Sequence, residues 1–519
     1  MTLLRKLLPL VLLVLLHACA SLPPQTDRTP SHSYTPADTA STRLGLAFAP
    51  HERERPGETA FHLLPDPVDA LLARIVLMQS AERSLDLQYY IWHDDLTGRA
   101  LAAALLKAAD RGVRVRVLLD DLGTNADDQL LLALNSHANL QIRLFNPVAS
   151  RRFKTLGAGL EFVRVNRRMH NKALIADSQG AILGGRNIGD EYFGASTVVD
   201  FGDLDVLVHG AVVSDVSHAF DEYWNSAAAY PIDTLLGRRA DPAALPGYRD
   251  KLDAYLASQQ SSPYAVAALQ RLAEVVDERD TEFIWGKATL LYDDPDKISR
   301  APGDVQGHLM SQFKALNLDP EQQLLIVSPY FVPGKAGVAW LRDMTQRGVR
   351  VTILTNSLAA TDVAAVHAGY QRYRKQLLAA GVRLYELKPA ASEGESVKKS
   401  LFGSSKASLH AKTYVFDRKR IFIGSMNLDP RSIELNTEIG VMCESGEAAA
   451  TVADGVEHQL DQAAWRVELR TDANGASRLV WIATDANGNA TEFDTEPGTS
   501  AWRRAGIWFL GLLPIESQL

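Results

Sequence analysis

The chain has 519 residues and a formal net charge of −8 at pH 7, with 54 Lys and Arg residues against 62 Asp and Glu residues. This acidity disfavours a protein that binds nucleic acid mainly through electrostatic attraction. A hydrophobic share of 46% is ordinary for globular protein, and the length exceeds what one core usually holds, so two domains are expected.

The N-terminus has the pattern of a secretory signal. Two basic residues precede the apolar run 7–16, which is too short for a stable membrane-spanning helix. The sequence Leu16-His-Ala-Cys19 resembles the site at which bacterial lipoproteins are cleaved and acylated, although His17 departs from the small or aliphatic residue usual there. We therefore predict a signal peptide over residues 1–18 and lipidation of Cys19, which would anchor the chain stably to a membrane.

The next segments change from unpatterned to regular. Residues 19–65 are rich in Pro, Ser and Thr and show no helical or strand period, so they are predicted to form a flexible tether. Residues 85–91 and 113–119 are typical of strands, and between them Thr97 can cap a helix that Gly112 ends. This order predicts a βαβ unit.

The same unit returns later in the chain. Arg347-Gly-Val-Arg-Val351 repeats Arg111-Gly-Val-Arg-Val115 at an offset of 236, and Val382-Arg-Leu-Tyr385 matches Ile142-Arg-Leu-Phe145 at an offset of 240. The duplication predicts an α/β fold in which the two halves are copies of one domain. The predicted boundaries are 66–210 for the first domain, 211–300 for a helical connector, 301–470 for the second domain and 471–519 for a C-terminal extension.

The C-terminal extension ends in the apolar run 506–515. Apolar runs of this length are expected to pack against the body of a protein. Contact with a membrane is the alternative, because the chain is predicted to be held close to one.

The two halves also share a motif of polar residues. His170 and Lys172 lie two residues apart on a predicted strand, 169–176, and therefore on one face of it, and the predicted strand 409–416 repeats this arrangement. The full spacing, H-x-K-x4-D-x6-G-[GS]-x-N, occurs twice. Its residues are His170, Lys172, Asp177, Gly185 and Asn187 in the first copy and His410, Lys412, Asp417, Ser425 and Asn427 in the second.

These residue types suit the chemistry of a phosphodiester. The lysine supplies positive charge, the asparagine supplies hydrogen-bond donors, and the glycine-containing turn lets the backbone approach a phosphate. Across a pseudo-twofold axis the two histidines would reach one phosphorus, one as nucleophile and the other as general acid and then base. The lysines would repel a cation and no carboxylate cluster accompanies the histidines, so neither a metal nor another cofactor is expected.

Further carboxylates are expected to support the histidines. A nucleophilic imidazole needs an acceptor that fixes its tautomer. Glu438, in Asn436-Thr-Glu438, is the candidate for His410, and Asp203 is the candidate for His170, with Asp205 as the alternative. The two motif aspartates each end an apolar strand, which favours a role in fixing a turn over contact with substrate.

The two motifs, together with Asn436-Thr-Glu438, resemble the phospholipase D superfamily over roughly residues 66–445. Gln88-Tyr-Tyr-Ile-Trp92, the segment 111–121 and Ser328-Pro-Tyr-Phe-Val-Pro-Gly334 resemble the bacterial cardiolipin synthases, especially the cardiolipin synthase C type. The resemblance implies two phospholipase D-like α/β domains related by a pseudo-twofold axis, each a mixed sheet flanked by helices, with the active site at their interface. It also implies ping-pong transfer of a phosphatidyl group through a phosphohistidine, with His170 as nucleophile and His410 as general acid and base. The lipoprotein-like signal departs from the transmembrane helices usual in these synthases.

The sequence therefore predicts a membrane-tethered phosphatidyltransferase, a cardiolipin synthase that acts on phosphatidylglycerol, phosphatidylethanolamine or cardiolipin at a membrane surface. One alternative is phospholipase D-type hydrolysis at the same site. A phosphodiesterase acting on nucleic acid is disfavoured by the acidity, and a non-catalytic lipid-binding envelope protein is disfavoured by the two complete motifs. The residues after Cys19 lack the Asp that retains many lipoproteins at the inner membrane, which favours the periplasmic face of the outer membrane of a bacterial cell envelope.

Overall fold

The computed structural model describes residues 21–25, 29–124, 126–241, 243–277, 282–301, 303–389, 407–472, 474–485 and 487–519. The predicted signal peptide and the predicted lipidation site Cys19 lie outside the described residues. None of the helices within these ranges is long and apolar enough to cross a membrane.

The first half of the chain forms a mixed sheet with helices on both faces. Its strands are β1 (Thr59–Leu64), β2 (Ser84–Tyr89), β3 (Arg114–Asp120), β4 (Leu140–Phe145), β5 (Ala173–Ala176), β6 (Gly180–Gly184), β7 (Asp200–Gly202), β8 (Asp205–Gly210) and β9 (Ala229–Pro231). Its helices are α1 (Arg43–Glu54), α2 (Pro67–Ser80), α3 (Leu96–Asp110), α4 (Asp128–Leu134), α5 (Lys154–Leu160), α6 (Phe162–Val165), α7 (Val212–Asn225) and α8 (Ile232–Leu236).

Two further helices, α9 (Ala244–Gln259) and α10 (Pro263–Asp277), lead to the second half. Its strands are β10 (Ile284–Tyr292), β11 (Gln323–Val327), β12 (Arg350–Asn356), β13 (Arg383–Leu387), β14 (Ala407–Leu409), β15 (Lys412–Phe416), β16 (Arg420–Gly424), β17 (Ile439–Glu444), β18 (Ala464–Thr471), β19 (Ser477–Thr484) and β20 (Ala490–Phe493). Its helices are α11 (Leu309–Ala315), α12 (Gly334–Gln346), α13 (Ala364–Gln371), α14 (Arg374–Ala379), α15 (Gly446–Ala463) and α16 (Ala501–Leu510).

The two sheets have the same strand order. The order is β9-β4-β3-β2-β5-β6-β8-β1 in the first half and β18-β13-β12-β11-β15-β16-β17-β10 in the second. Strands β2, β3 and β4 pair in parallel, as do β11, β12 and β13, and the other neighbours in these orders are antiparallel. Strand β1 also pairs with β10, which joins the two sheets. The predicted α/β fold of two duplicated mixed sheets is therefore confirmed.

Helix α3 shows how the local sequence sets these elements. Asp95, rather than the predicted Thr97, is its N-cap and accepts the backbone N–H of Gly98. Gly112 follows the C-cap with a φ of +90°, a conformation that glycine adopts without steric cost. Strand β3 begins two residues later and is buried along nearly its whole length, as expected of a parallel strand covered on both faces.

The hydrophobic core has three large parts, besides a small cluster of Leu358, Ala368 and Ile507. One lies between the two sheets and combines residues of both halves, such as Val206 of β8 and Val441 of β17. The second covers the other face of the first sheet beneath α2, α3 and α4, and the third does the same in the second half beneath helices α11 to α14. Because the first part is shared, neither sheet buries its inner face alone.

The predicted flexible tether is wrong for residues 43–64. These residues form α1 and β1, and β1 pairs with β8 along all of its six residues. The preceding segment is also bound to the body, since the backbone N–H of Ser33 donates to Asp221 Oδ2 (2.7 Å) and Arg116 donates to the carbonyl of Ser31 (2.9 Å). Composition does not reveal this order because the partners lie far away in sequence.

The repeats extend beyond the predicted domain boundaries. Helix α7 packs in the shared core and β9 completes the first sheet, so residues 212–231 belong to the first repeat rather than to a connector. The second sheet begins with β10, before the predicted residue 301. In the C-terminal extension β19 and β20 add two antiparallel strands beside β18.

Candidate active site

The two motif copies meet where the halves contact each other. Strand β7 of the first half pairs in parallel with β14 of the second, directly before His410, and Met169 forms a parallel bridge with Thr437. The backbone N–H of His170 donates to the carbonyl of Thr437 (2.8 Å), and that of His410 donates to the carbonyl of Gly202 (2.8 Å). The segment before each motif strand is therefore held by the opposite half.

This exchange shortens the predicted motif strands 169–176 and 409–416. Strand β5 begins only at Ala173, so His170 and Lys172 precede it, and His410 lies between β14 and β15. The prediction that each His-Lys pair lies within one continuous strand is wrong. The backbone at each histidine bonds across the interface instead of continuing the ladder of its own sheet.

The histidines are paired with carboxylates in a crossed arrangement. Nδ1 of His170 lies 2.8 Å from Oε2 of Glu438, and Nδ1 of His410 lies 2.6 Å from Oδ2 of Asp203. The predicted pairs within each half, Asp203 with His170 and Glu438 with His410, are therefore wrong. Each histidine is completed by the carboxylate of the other half.

The register of the sheets explains the crossed pairs. Asp205 lies opposite Gly184, and Gly440 lies opposite Gly424, so Asp203 and Glu438 occupy equivalent positions two residues earlier. The segment that leads into β8 contains β7, which pairs with β14 directly before His410. The segment that leads into β17 bridges instead to Met169, directly before His170. Asp205, the predicted alternative, is a buried partner of Arg74 (2.8 Å) and does not reach either histidine by any hydrogen bond in the described part of the chain.

The two lysines are buried beside the histidines. Nζ of Lys172 donates to the carbonyl oxygen of His170, and Nζ of Lys412 donates to that of His410. Nζ of Lys412 also lies 2.9 Å from Nδ1 of His410, a longer contact than the one from Nδ1 to Asp203, so we assign the Nδ1 proton to the bond with the carboxylate. Burial lowers the pKa of Lys172 well below its usual value and lowers that of Lys412 to about 8.

Burial also governs the protonation of the histidines. Burial, followed by the charges of Lys172 and Lys412, lowers the pKa of His170 well below its usual value. Burial and Lys412 lower the pKa of His410 to about 4, with Asp203 acting in the opposite direction. Both rings are therefore neutral at pH 7, and each has Nε2 left with a lone pair. The charge of each lysine acts on both rings, which shows that the two motifs share one site.

The two carboxylates differ in their ionisation. Burial opposes the ionisation of Asp203, but its contacts with His410 and the charge of Lys412 lower its pKa to about 2. Burial raises the pKa of Glu438 to about 7, with Lys172 acting in the opposite direction. At neutral pH Asp203 is fully ionised, whereas Glu438 is close to its midpoint.

The remaining motif residues separate into two groups. Asp177 and Asp417 lie away from the histidines and each accepts three backbone N–H groups, from residues 82–84 and 321–323 respectively. The structure thus gives both the turn-fixing contacts that their position at the strand ends favours. Gly185 and Ser425 instead contact the crossed carboxylates: a Cβ on Gly185 would lie 2.2 Å from Asp203 Oδ1, and the Ser425 hydroxyl donates to Glu438 (2.5 Å).

The motif asparagines are buried beside the site. Oδ1 of Asn187 accepts the backbone N–H of Ile91 (3.2 Å), and its Nδ2 donates to the hydroxyl of Tyr192 (2.8 Å). Oδ1 of Asn427 is buried and has no hydrogen-bond partner among the described residues. A direct contact between these amides and a phosphate remains a prediction.

Aromatic rings pack against both imidazoles. The Tyr90 ring lies 5.1 Å from that of His170, and the Tyr192 and Phe201 rings lie 5.2 and 5.1 Å from that of His410. Tyr90 belongs to the segment 88–92 that resembles the cardiolipin synthases, but sequence reasoning missed Tyr192 and Phe201. Phe201 could have been found from its place two residues before Asp203, because the same segment brings both residues to His410.

Among the described residues, one group of three possible metal ligands lies together, formed by His93, Asp95 and Glu191 outside the two motifs. Asp95 caps α3 through Gly98 and also accepts the backbone N–H of Asp190, and Glu191 lies 3.2 Å from His93. Hydrogen bonds within the group account for its geometry.

Two copies of one α/β repeat that share an interfacial pair of His-x-Lys sequences define a phospholipase D-like protein. The phosphatidylserine synthase of Haemophilus influenzae Rd KW20 has a crystal structure similar in fold, with a TM-score of 0.52 over 81% of this chain and 92% of that chain, at 14% identity.

Sequence comparison identifies the family. A family model described as "Cardiolipin synthase, PLD-like domain" matches residues 75–224 and 317–460. Cardiolipin synthase C of Escherichia coli (strain K12) is 43% identical over 486 residues, which cover 91% of this chain and 99% of that protein. Cardiolipin synthase A of Pseudomonas entomophila (strain L48) is 28% identical over 77% of this chain and 68% of that protein. The chain therefore belongs to the phospholipase D-like cardiolipin synthase family and is an enzyme of the phosphatidyltransferase class.

Proposed function

We propose that the protein synthesises cardiolipin through a covalent phosphohistidine, with His170 as the nucleophile and His410 as the general acid and base. The crossed pairing carries the proposal, because Glu438 engages Nδ1 of His170 and Asp203 engages Nδ1 of His410. Both rings then offer Nε2 to one substrate. The similarity to cardiolipin synthase C of E. coli supports the choice of product.

The first half-reaction forms the intermediate. Nε2 of His170 attacks the phosphorus of phosphatidylglycerol or phosphatidylethanolamine, and the bond from phosphorus to the headgroup oxygen breaks. The protonated Nε2 of His410 gives its proton to the departing headgroup alcohol, which leaves as glycerol or ethanolamine. His170 then carries the phosphatidyl group and His410 is neutral.

The second half-reaction reverses these steps with another acceptor. The headgroup hydroxyl of phosphatidylglycerol gives its proton to Nε2 of His410 and attacks the phosphorus, and the phosphorus–nitrogen bond breaks. Cardiolipin leaves and His170 is again neutral. Water in place of the lipid hydroxyl would give phosphatidic acid.

Substrate binding sets the starting protonation. In the free protein the pKa of His410 is about 4, so the ring is neutral at pH 7. A bound phosphodiester carries a negative charge that stabilises a nearby imidazolium and raises its pKa. His410 then takes up the proton that it delivers to the leaving alcohol.

A product assay tests the proposed reaction. Purified protein is incubated with vesicles of phosphatidylglycerol, alone or with phosphatidylethanolamine, in buffer containing EDTA. We expect cardiolipin with stoichiometric release of glycerol or ethanolamine, and no loss of activity from EDTA. Phosphatidic acid as the sole product would replace the synthase proposal with a hydrolase.

A second assay tests the roles of the histidines. His170→Ala is expected to abolish turnover and to leave no covalent intermediate. In His410→Asn the intermediate can still form slowly when the headgroup is a good leaving group. The variant lacks the imidazole that would activate the acceptor hydroxyl, so phosphatidylated protein is expected to accumulate. Acid-labile radiolabel on the protein measures the intermediate, and label on His170→Ala would contradict the assigned roles.

We further propose that residues 1–18 are removed and that Cys19 is acylated, which places the enzyme on the periplasmic face of the outer membrane. The sequence around Cys19 supports this. Metabolic labelling with a fatty acid, followed by separation of inner and outer membranes, tests it. Cys19→Ser should lose the label, and an unlabelled wild-type protein would contradict the proposal.

A further inference from the structure

Two segments expose apolar side chains on the surface. Helices α5 and α6 and the residue before them expose Phe153, Leu156, Phe162 and Val163, the last with 84% of its surface accessible. In the C-terminal segment Ile507 is buried against Leu358 and Ala368, but Trp502 (88% accessible), Trp508, Phe509 and Leu512 are exposed. The expectation that the run 506–515 packs against the body is therefore met by only part of it. Clustered exposed apolar side chains of this kind mark an interaction site.

The two segments are neighbours. Nδ2 of Asn166, directly after α6, donates to Oε1 of Gln518 in the C-terminal tail (2.6 Å). Arg431 connects both, because it donates to the carbonyl of Asn166 (3.0 Å) and to the carbonyl of Gln518 (3.0 Å). We call residues 152–163 and 502–513 together the rim.

The rim lies beside the active site. The residues that follow Asn166 run directly to His170, and Arg168 bonds to the Asn436-Thr437 segment that precedes Glu438. A surface that docks on the rim is therefore next to the entrance of the histidine pair.

The rim is basic although the whole chain is acidic. The rim contains four basic residues and one acidic residue, Glu161. Arg151 and Lys154 pair with Asp121, but Arg152 and Arg503 are exposed. Exposed Trp and Phe flanked by Arg are typical of segments that lie in the interface of an anionic bilayer.

The N-terminal end of the described chain lies near the same rim. Gln25 donates to the carbonyl of Ala227 (2.9 Å), and the carbonyl of the next residue, Ala228, accepts the N–H of Asn146 (2.8 Å). The side chain of Asn146 in turn donates to the carbonyl of Arg164 in α6 (3.1 Å). Cys19 is six residues from Gln25, at most about 20 Å of extended chain. A lipid on Cys19 would hold this side of the protein against a membrane.

We propose that the rim docks the protein on the surface of a bilayer that contains anionic phospholipid, with the active-site entrance facing the headgroups. The aromatic and aliphatic side chains enter the headgroup region, and Arg152 and Arg503 contact lipid phosphates. This inference rests on the proposed function, because the lipid that the rim binds is also the lipid that the active site converts.

Vesicle binding tests the rim, using the full-length chain with Cys19→Ser so that acylation does not contribute. Two double variants, Phe162→Ser/Val163→Ser and Trp508→Ser/Phe509→Ser, are compared with Val266→Ser/Leu269→Ser, which removes exposed apolar side chains from α10. We expect each rim variant to bind phosphatidylglycerol-containing vesicles at least tenfold more weakly, and the α10 variant to bind as the parent does. Phosphatidylcholine vesicles should bind the parent more weakly than the anionic vesicles.

Activity measurements separate docking from catalysis. The rim variants should lose activity on vesicles in proportion to binding, but should keep the parent's kcat on short-chain phosphatidylglycerol below its critical micelle concentration. Unchanged vesicle binding in both rim variants would overturn the proposal, and so would self-association that the rim variants abolish without any vesicle binding. If vesicle binding depends on the rim but no lipid is converted, the proposed function fails and the docking surface stands.

Discussion

The two histidines face carboxylates of different character. Asp203 is ionised throughout the neutral range, because its pKa is about 2, whereas the pKa of Glu438 is about 7. A fixed negative charge beside His410 stabilises its imidazolium more than a half-protonated Glu438 stabilises that of His170. This difference supports His410 as the residue that carries the proton and His170 as the residue that attacks phosphorus.

Replacing Asp203 tests this charge. Asp203 raises the pKa of His410, so Asp203→Asn should lower that pKa further below 4. The profile of kcat/KM against pH reports the free enzyme, and above this pKa the protonated fraction of His410 falls tenfold for each pH unit. We therefore expect the alkaline limb to move to lower pH and kcat/KM at pH 7 to fall by at least about 100-fold.

The conservative variant serves as the control for this charge. Asp203→Glu keeps the negative charge, so the alkaline limb of its kcat/KM profile should lie at a pH closer to that of the wild type. The measurement is a series of initial rates on short-chain phosphatidylglycerol from pH 4 to 9. An unchanged profile in Asp203→Asn would show that Asp203 does not control the proton on His410.

Gly185 tests the position of the same carboxylate without changing its charge. A Cβ at residue 185 would lie 2.2 Å from Oδ1 of Asp203, so Gly185→Ala must displace the carboxylate from His410. We expect kcat to fall by about 100-fold, the order seen when one preorganised contact is lost. The control is Gly247→Ala in α9, where a Cβ meets nothing within 4 Å and helix propensity favours Ala. Equal activity of the two variants would contradict this account.

At the scale of elements, the motif aspartates fix the hairpin turns after β5 and β15. Asp177 and Asp417 have φ values of +54° and +51°, and the residue after each is also at positive φ. Asp tolerates this conformation better than most residues do. Each carboxylate then ties its turn to the start of the neighbouring antiparallel strand, β2 or β11.

Removing these carboxylates should affect stability more than chemistry. Asp177→Ala loses three hydrogen bonds from backbone N–H groups to a buried carboxylate and leaves Ala at positive φ, so we expect a loss of about 3 kcal/mol in the free energy of unfolding. Asp417→Ala should cost less because Asp417 is more exposed. Urea unfolding measures the loss, and kcat per folded molecule should stay near that of the wild type. Normal stability with lost activity would assign Asp177 to catalysis instead.

The elements that the sequence predicted are those whose cause is local. The helix that ends at Gly112 and the strand that follows it depend on near neighbours in sequence, and the duplication predicted the same fold for both halves. The crossed pairs and the ordered segment 43–64 depend on contacts between residues far apart in sequence. Asp203 lies 33 residues after His170 and Glu438 lies 28 residues after His410. This spacing makes each carboxylate a candidate partner but does not show which histidine it reaches.

At the scale of the whole molecule, the halves complete each other in two ways. They share the core between the sheets, which includes Val206 from one half and Val441 from the other. They also exchange carboxylates, so that His170 depends on Glu438 and His410 depends on Asp203. Neither repeat therefore contains a motif histidine together with its carboxylate partner.

Dividing the chain tests this interdependence. Residues 1–277 and 282–519, produced as separate chains, should each be poorly soluble and inactive, since each exposes its side of the shared core and lacks one carboxylate. Produced together, they should associate and recover activity, because the edge pair β1–β10 and the shared core need no covalent link. Gel filtration and the cardiolipin assay measure the two outcomes.

The divided enzyme also shows which half serves which histidine. A first chain that carries Asp203→Asn, combined with an intact second chain, should still associate, but its pH profile should shift as that of the full-length variant does. This result requires Asp203 to act on His410 of the other chain, since the second chain then contains every motif residue of its own half. Activity in the second chain alone would show that His410 and Glu438 suffice, and would refute the crossed site.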